Sequence, residues 1–185
     1  MQFKLARPDV IRAVNQRWLY KHWNEARATR ALPVWRDLDS REFAAMSPNL
    51  SFTDVIGTNG RPRFLIRYHG SRIGEAYGSD CHGKYLDEVL PANFRQTALS
   101  TYWQVVETRS PVYTAVDTPD RDGRVVHYER LLLPFGRDGV TVDRILASLE
   151  MISPEGAFHT NNLMTSGKTP SSYTICATIQ LMQSV

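Results

Sequence analysis

Cys81 and His82 stand side by side in this chain. A thiol beside an imidazole is the pair best suited to chemistry, because both are metal ligands and a positive neighbour lowers a thiol's pKa. Two residues cannot complete a structural metal site, however. The other cysteine, Cys176, is far away in sequence, no CxxC spacing exists, and no second pair lies at ligand spacing. Cys81-His82 therefore reads as a turn thiol beside an exposed histidine. The adjacent acids Asp87-Glu88, and Asp37 with Asp39, read as solvated turns rather than as a general acid and its base. With no GxGxxG, P-loop, HExxH or GxSxG, nothing here needs catalysis to explain it, and no enzyme activity is expected.

The elements that position these residues start with the stretch 63–90. Strand side chains alternate, so Phe64, Ile66 and Tyr68 point one way and Leu65, Arg67 and His69 the other. Gly70 ends the strand. A short helical piece over 71–77 leads into Gly78, Asp80 and Gly83 before Leu86, Val89 and Leu90 resume apolar spacing, which makes a concave flap beside a sheet. Residues 50–56 read as a preceding strand, joined through a Thr58-Asn59-Gly60 hairpin turn. After the flap, Pro91-Ala92-Asn93 opens a helix with Phe94, Ala98, Tyr102, Val105 and Val106 on one face and Arg95, Gln96, Thr101 and Gln104 elsewhere. Ser110-Pro111 closes it. Residues 112–117, 124–133 and 143–152 read as three more strands, separated by Asp120-Arg121-Asp122-Gly123 and Gly136-Arg137-Asp138-Gly139. Two strands, helices, then three strands is an α+β order.

Ahead of this core, Pro8 and Asp9 open a long helical pattern in which Val10, Ile11, Val14, Trp18, Leu19, His22, Trp23 and Ala26 recur to about Thr29. Its tryptophans must be buried, either on the chain's own sheet or on another subunit. Leu32-Pro33 stops it, and Asp39 or Ser40 caps a shorter helix through Met46 that Pro48 ends. At the other end, residues 156–172 shift to Ser, Thr, Asn and Gly and read as a flexible linker. Beyond it Tyr173, Ile175, Ala177, Ile179 and Leu181 alternate with polar residues, a half-buried strand expected to extend a sheet edge, its own or a neighbour's.

Composition sets the bounds. A length of 185 residues, 42% hydrophobic and 22% charged, suits one soluble domain with extensions. Two distant cysteines fit a reducing compartment, so a cytoplasmic location is expected. Lys4, Arg7, Asp9 and Arg12 interrupt any signal-peptide core, and no run approaches a membrane span. Lys4, Arg7, Arg12, Arg17, Lys21, Arg27, Arg30 and Arg36 face only Asp9 and Glu25 before Asp37. That is an excess of six positive charges in a chain of net charge +3, so the remainder is acidic by three. The basic arginines are spread along a helix without interleaved aromatics, as on a solvated face, and a nucleic-acid or anionic-membrane contact is only the alternative reading.

The same residues carry a resemblance. Trp23, Arg27, Leu32-Pro33 and Asp37 in the lead-in, Phe64, Arg67 and Gly70 in the strand, Gly78-x-Asp80-x-x-Gly83 in the flap and Glu129-Arg130-Leu131-Leu132-Leu133-Pro134 near the end together resemble a PAS domain. The wording is closest to a small bacterial subfamily of mostly stand-alone PAS domains, and it covers roughly residues 18–152. The resemblance implies a five-stranded antiparallel sheet with helices over one face, here with a long N-terminal helix and a C-terminal extension ending in an extra strand. Together with the flanking patterns read above, the chain divides into a lead-in (1–36), a PAS-like core (37–153) and an extension (154–185) that the resemblance does not reach. The resemblance also implies a sensory or interaction role and a homodimer through the helix before the core, where Val14, Trp18 and Trp23 supply apolar surface. Flavin-binding relatives carry a reactive cysteine where Gly83-Lys84-Tyr85-Leu86 places Leu86, so flavin photochemistry is not expected. Haem-binding relatives need an axial histidine. His82 sits in a turn, and His69 alternates with Tyr68 so that only one of the two can face a cavity; no cofactor is assigned.

Strand parity supplies a pocket. If Phe64, Ile66 and Tyr68 face the core, then Val126, Tyr128, Arg130 and Leu132 form the matching face of the fourth strand, with Tyr102 opposite. A buried Arg130 requires a carboxylate or an anionic ligand, since an unpaired buried charge costs several kcal/mol. Two readings follow: a small polar or acidic ligand held by Arg130 with Tyr68, Tyr102 and Tyr128, or an Arg130 that pairs with an internal acid such as Asp80 or reaches solvent. The opposite parity places Arg67, His69, His127 and Glu129 outside, with Arg67 and Glu129 as a cross-sheet ion pair. The function expected is a non-catalytic sensory or signalling module acting on a protein partner.

Overall fold

The computed structural model describes residues 2–57, 61–165, 167 and 173–182. The chain opens with β1 (Lys4–Ala6), a 3-10 turn at Pro8–Val10, and α1 (Val14–Arg27). The single long helix expected from Pro8 is thus interrupted. Ile11 takes extended backbone (φ −72°, ψ 114°) after one turn, and the helix restarts at Val14. The interruption rotates the buried stripe to Gln16, Leu19, Tyr20, Trp23, Asn24 and Arg27, and leaves Val14 71% exposed. Trp23 is fully buried in the chain's own core, where its Nε1–H donates to the Pro134 carbonyl at 2.7 Å. Trp23 is therefore not available to a second subunit, which corrects the interface expected from spacing. The shorter helix downstream is a 3-10 helix, Ser40–Asn49, with the Asp39 carboxylate accepting from the Arg41 N–H.

Next come β2 (Leu50–Ile56), β3 (Arg63–His69), α2 (Ser71–Tyr77), α3 (Leu86–Val89) and α4 (Arg95–Thr108). β4 (Val112–Pro119), β5 (Val125–Phe135), β6 (Arg144–Ile152) and β7 (Ile175–Ile179) complete the chain. The sheet runs β1-β7-β4-β5-β6-β2-β3. Its inner five strands, β4 to β3 in that order, are antiparallel. β7 adds antiparallel to β4, and β1 adds parallel to β7. The last strand therefore extends its own chain's sheet. The Thr58-Asn59-Gly60 turn, and residues 166 and 168–172 of the expected linker, lie outside the described residues.

The helices occupy both faces. Arg130 reaches Thr101 of α4, while its neighbour Glu129 faces Arg12 ahead of α1. Because strand side chains alternate, α4 and α1 lie on opposite sides of β5. Gln16 of α1 donates to the carbonyls of Glu129 and Ser148 at 3.3 and 2.9 Å. The residues expected as the first part of a linker pack as well: the Asn162 and Met164 N–H groups donate to the Glu75 and Ala76 carbonyls at the end of α2, and Leu163 and Met164 are buried. The Asn162 side chain fills the space where a β-carbon on Gly78 would lie, and Gly78 itself takes the left-handed φ of +67° that closes α2. Among the described residues no helix is long and apolar enough to cross a membrane.

One irregularity matters for the site. The β2–β3 ladder pairs Thr53 with Ile66 but Phe52 with Tyr68, a β-bulge at Arg67. Past the bulge every side chain of β3 changes face. Tyr68, expected inside, turns to the outer face at 39% exposure, tilted against Phe52 with ring centroids 5.9 Å apart, and His69 turns in beside Ser51. Arg67 pairs with Asp54 at 2.7 Å rather than with Glu129.

Asp54 also accepts from Arg144 at 3.1 Å, so one carboxylate ties β3, β2 and β6 together beside the bulge. Burial alone would raise its pKa, but the two guanidinium groups outweigh burial and hold it below the ordinary carboxylate value. A depressed folded pKa means the stabilisation is complete above the ordinary value and is lost as pH falls through the folded one. Asp54→Asn is expected to cost about 1 kcal/mol in urea denaturation near neutral pH. The difference from the parent should shrink as the pH falls below about 4; a gap unchanged down to pH 2 would show that the pair does not stabilise the fold.

Candidate ligand pocket

β5 is the floor of the pocket. Its even residues from Val126 to Leu132 face α4, so Tyr128 and Arg130 project beneath the helical side, as parity predicts. α4 brings Tyr102, α2 ends in Tyr77, and β3 contributes Ile66 and His69. Together with Cys81 of the flap, Leu86 and Val89 of α3, and Leu149 of β6, they enclose a cavity of about 40 Å³. About 10–15 Å³ suffices for one water, so the space admits a molecule of only a few heavy atoms.

Arg130 dominates the electrostatics. It is 2% exposed, and its Nη2 donates to the Thr101 hydroxyl at 2.9 Å and to the Tyr173 hydroxyl at 2.6 Å. Its guanidinium lies 5.5 and 5.6 Å from the ring centroids of Tyr102 and Tyr173. Among the described residues its buried Nε–H has no acceptor. Burial opposes the charge, yet the oxygens of Tyr173, Tyr102, Tyr128 and Tyr77 more than offset burial and keep the pKa above the ordinary arginine value. Burial in turn pushes the phenols of Tyr77, Tyr102, Tyr128 and Tyr173 up, so all four are neutral near pH 7. Tyr77 and Tyr128 bond each other at 3.2 Å. The result is one positive charge in a buried chamber whose described walls carry no carboxylate. Among the described residues, no acidic group pairs with Arg130.

Asp80, considered as an internal partner for Arg130, sits on the flap instead, accepting from the His82 N–H at 2.9 Å and lying 2.8 Å from His69 Nε2. The same Nε2 is 3.0 Å from the Cys81 N–H. One ring nitrogen can donate to Asp80 or accept from Cys81 but not both, so the two flap contacts belong to different tautomers of His69. Cys81 bonds Ser79 through its sulfur and lines the cavity, and His82 belongs to the Asp80 turn. No group of three His, Cys, Asp or Glu side chains placed to hold a metal occurs among the described residues.

The structure thus brings together Tyr102, Tyr128 and Arg130 and removes Tyr68. Sequence reasoning missed Tyr77, His69, Thr101 and Tyr173. Tyr173 had a signal, as the first inward residue of the alternating C-terminal strand. Thr101 gave none, because a threonine beside Tyr102 reads as the polar side of the helix. On the opposite face, Glu129 is buried 3.9 Å from Arg12. Several lead-in arginines are engaged by their own chain: Arg17 on the Ile11 and Arg12 carbonyls, Arg27 on Arg30 and Met182, and Arg30 on Ala26 and Asp37.

A family model described as the PAS domain matches residues 11–150. Among solved structures, the chain is similar to the PAS domain of an HTR-like protein from Haloarcula marismortui, at 26% identity over 61% of this chain and 90% of that one, with a TM-score of 0.34. No curated protein matches. The matched residues stop short of β7 and Tyr173.

If Arg130 serves a ligand rather than the fold, replacing it should not weaken the protein. Buried charges exchanged for apolar groups of similar volume are often neutral or stabilising by about 1–4 kcal/mol. Arg130→Met is therefore expected to unfold at equal or higher denaturant concentration than the parent. A loss of about 3 kcal/mol or more would instead mark Arg130 as part of the structural framework.

Proposed function

The chain belongs to the PAS domain family, and on that premise we propose that it is a non-catalytic cytoplasmic sensory module whose input is a small acidic molecule held at Arg130 and whose output passes to a protein partner. A sensory or signalling role is what the family supports in general. The finer reading is supported by one observation above the others: a fully buried guanidinium, with hydroxyls but no carboxylate among its described partners, beside a cavity. A carboxylate would satisfy the Nε–H and neutralise the charge in a low-dielectric site, where ion pairing is far stronger than in water. The apolar walls, Ile66, Ile73, Leu86, Val89 and Leu149, suit a short hydrocarbon tail. Tyr102 and Tyr128 would orient it.

Acetate matches this size and charge. Titration followed by NMR should show saturable shifts for residues of the pocket, absent with acetamide, which has the same shape without the charge, and absent in Arg130→Met. Equal responses to acetate and acetamide, or an undiminished response in the variant, would refute the reading.

The partner side of the proposal is a homodimer through the start of α1. With Trp23 committed to the core, the surface consists of Val14 and the half-buried Trp18, which stacks on His22 with ring centroids 3.6 Å apart. Val14→Glu should convert a dimer to a monomer in sedimentation velocity without lowering the melting temperature. A parent protein that sediments as a monomer at high concentration would rule the dimer out.

A further inference from the structure

We propose that the pocket and the C-terminal strand are coupled through one contact: an anion binding Arg130 side-on displaces the Tyr173 hydroxyl and loosens β7 from the edge of β4. The inference rests on the ligand reading above, and it concerns how that site would be read out.

The count of hydrogens carries it. A guanidinium has one N–H on Nε and two on each terminal nitrogen, and a carboxylate gripping its side takes the Nε–H together with the parallel Nη2–H. Here the Nε–H is buried without an acceptor, while Nη2 already serves two hydroxyls, Thr101 at 2.9 Å and Tyr173 at 2.6 Å. Both Nη2 hydrogens are spent on those hydroxyls. A side-on carboxylate must therefore displace one of them. Thr101 sits within α4 and its own hydroxyl donates to the Ala98 carbonyl at 2.6 Å, so it is fixed in place. Tyr173 lies just before β7, with Thr174 as its nearest anchor, through N–H and Oγ bonds to the Ala115 carbonyl at 2.8 and 3.1 Å. A neutral phenol is also a weaker acceptor than a carboxylate, whose charge-assisted bonds are roughly twice as strong. Tyr173 yields.

What Tyr173 anchors extends beyond the pocket. β7 pairs with β4 from Ile175 opposite Ala115 to Thr178 opposite Val112, and β1 hangs on β7 alone. Past β7, the Gln180 carbonyl accepts from Tyr20 at 2.9 Å and the Met182 carbonyl from Arg27 at 3.0 Å, both on α1. One segment thus touches the pocket on one face of the sheet and α1 on the other. Coupling between two binding events is reciprocal, so whatever holds β7 down must oppose the anion to the same degree.

The test uses the full chain as wild type, Tyr173→Phe and Arg130→Met, with acetate as probe and acetamide as control. Amide hydrogen exchange read by mass spectrometry should quicken across residues 174–180 when acetate binds the wild type, and not with acetamide. Tyr173→Phe keeps the ring and removes only the competing hydroxyl, so it should bind acetate about tenfold more tightly, within the usual range of coupling energies. Arg130-dependent acetate binding that leaves exchange at 174–180 unchanged, or a Tyr173→Phe protein with loosened β7 and unaltered acetate affinity, overturns the coupling while the ligand reading stands. Absence of Arg130-dependent binding in both the wild type and Tyr173→Phe overturns the two together.

Discussion

β5 is covered on both faces, and the rest of the molecule is arranged by that constraint. A strand buried on one side can leave its polar residues to water, whereas one buried on both must find a partner for each. Glu129 and Arg130 show the consequence. Adjacent in sequence and opposite in charge, they would neutralise each other in a flexible chain, but the pleat sends them to opposite faces, both buried. Each face then holds a charge that its own surroundings must accommodate. On the α1 side Arg12 lies 3.9 Å from the Glu129 carboxylate, and the Gln16 amide donates to the Glu129 backbone carbonyl. On the α4 side the surroundings of Arg130 are hydroxyls and aromatic rings, which solvate a cation without cancelling it.

The two faces accommodate their charges differently. Water could reach neither group cheaply, and a fold selected only for stability would have replaced Arg130 with an apolar residue of similar volume. The tyrosines around it are pushed by burial toward their neutral forms, so they cannot act as counterions near neutral pH. The chamber thus holds a buried cation beside a space for only a few atoms.

Much of this was legible in the sequence, for reasons that can be named. β2 and β3 lie where alternation put them, and the inward parity of Tyr128 and Arg130 follows from strand geometry alone. The added C-terminal strand was readable from its alternation, whereas β4, β5 and β6, buried almost throughout, were marked by the turn sequences between them. The exchange of Tyr68 for His69 was not, since a bulge inserts one residue into a ladder without changing composition. Nor was the true stripe of α1: Gln16 and Arg27 are polar, yet they face inward because backbone carbonyls of the sheet and the C-terminal segment await donors there, and Asn24 accepts from Arg27 at 3.3 Å. The docking of residues 156–165 was hidden for a similar reason, being fixed by backbone bonds from Asn162 and Met164 to the end of α2.

The parallel pairing of β1 with β7 sets an order of assembly. Lys4 lies opposite Ala177, and among the described residues β1 pairs with no other strand. Contacts between positions so distant in the chain close a long loop, and such closures come late because their entropy must be met before any bond rewards it. During synthesis, moreover, the first strand emerges well before its only template exists. The core from β2 to β6 can therefore close over its chamber while β4 still presents a bare edge, and β7 is the strand that lets β1 find its place.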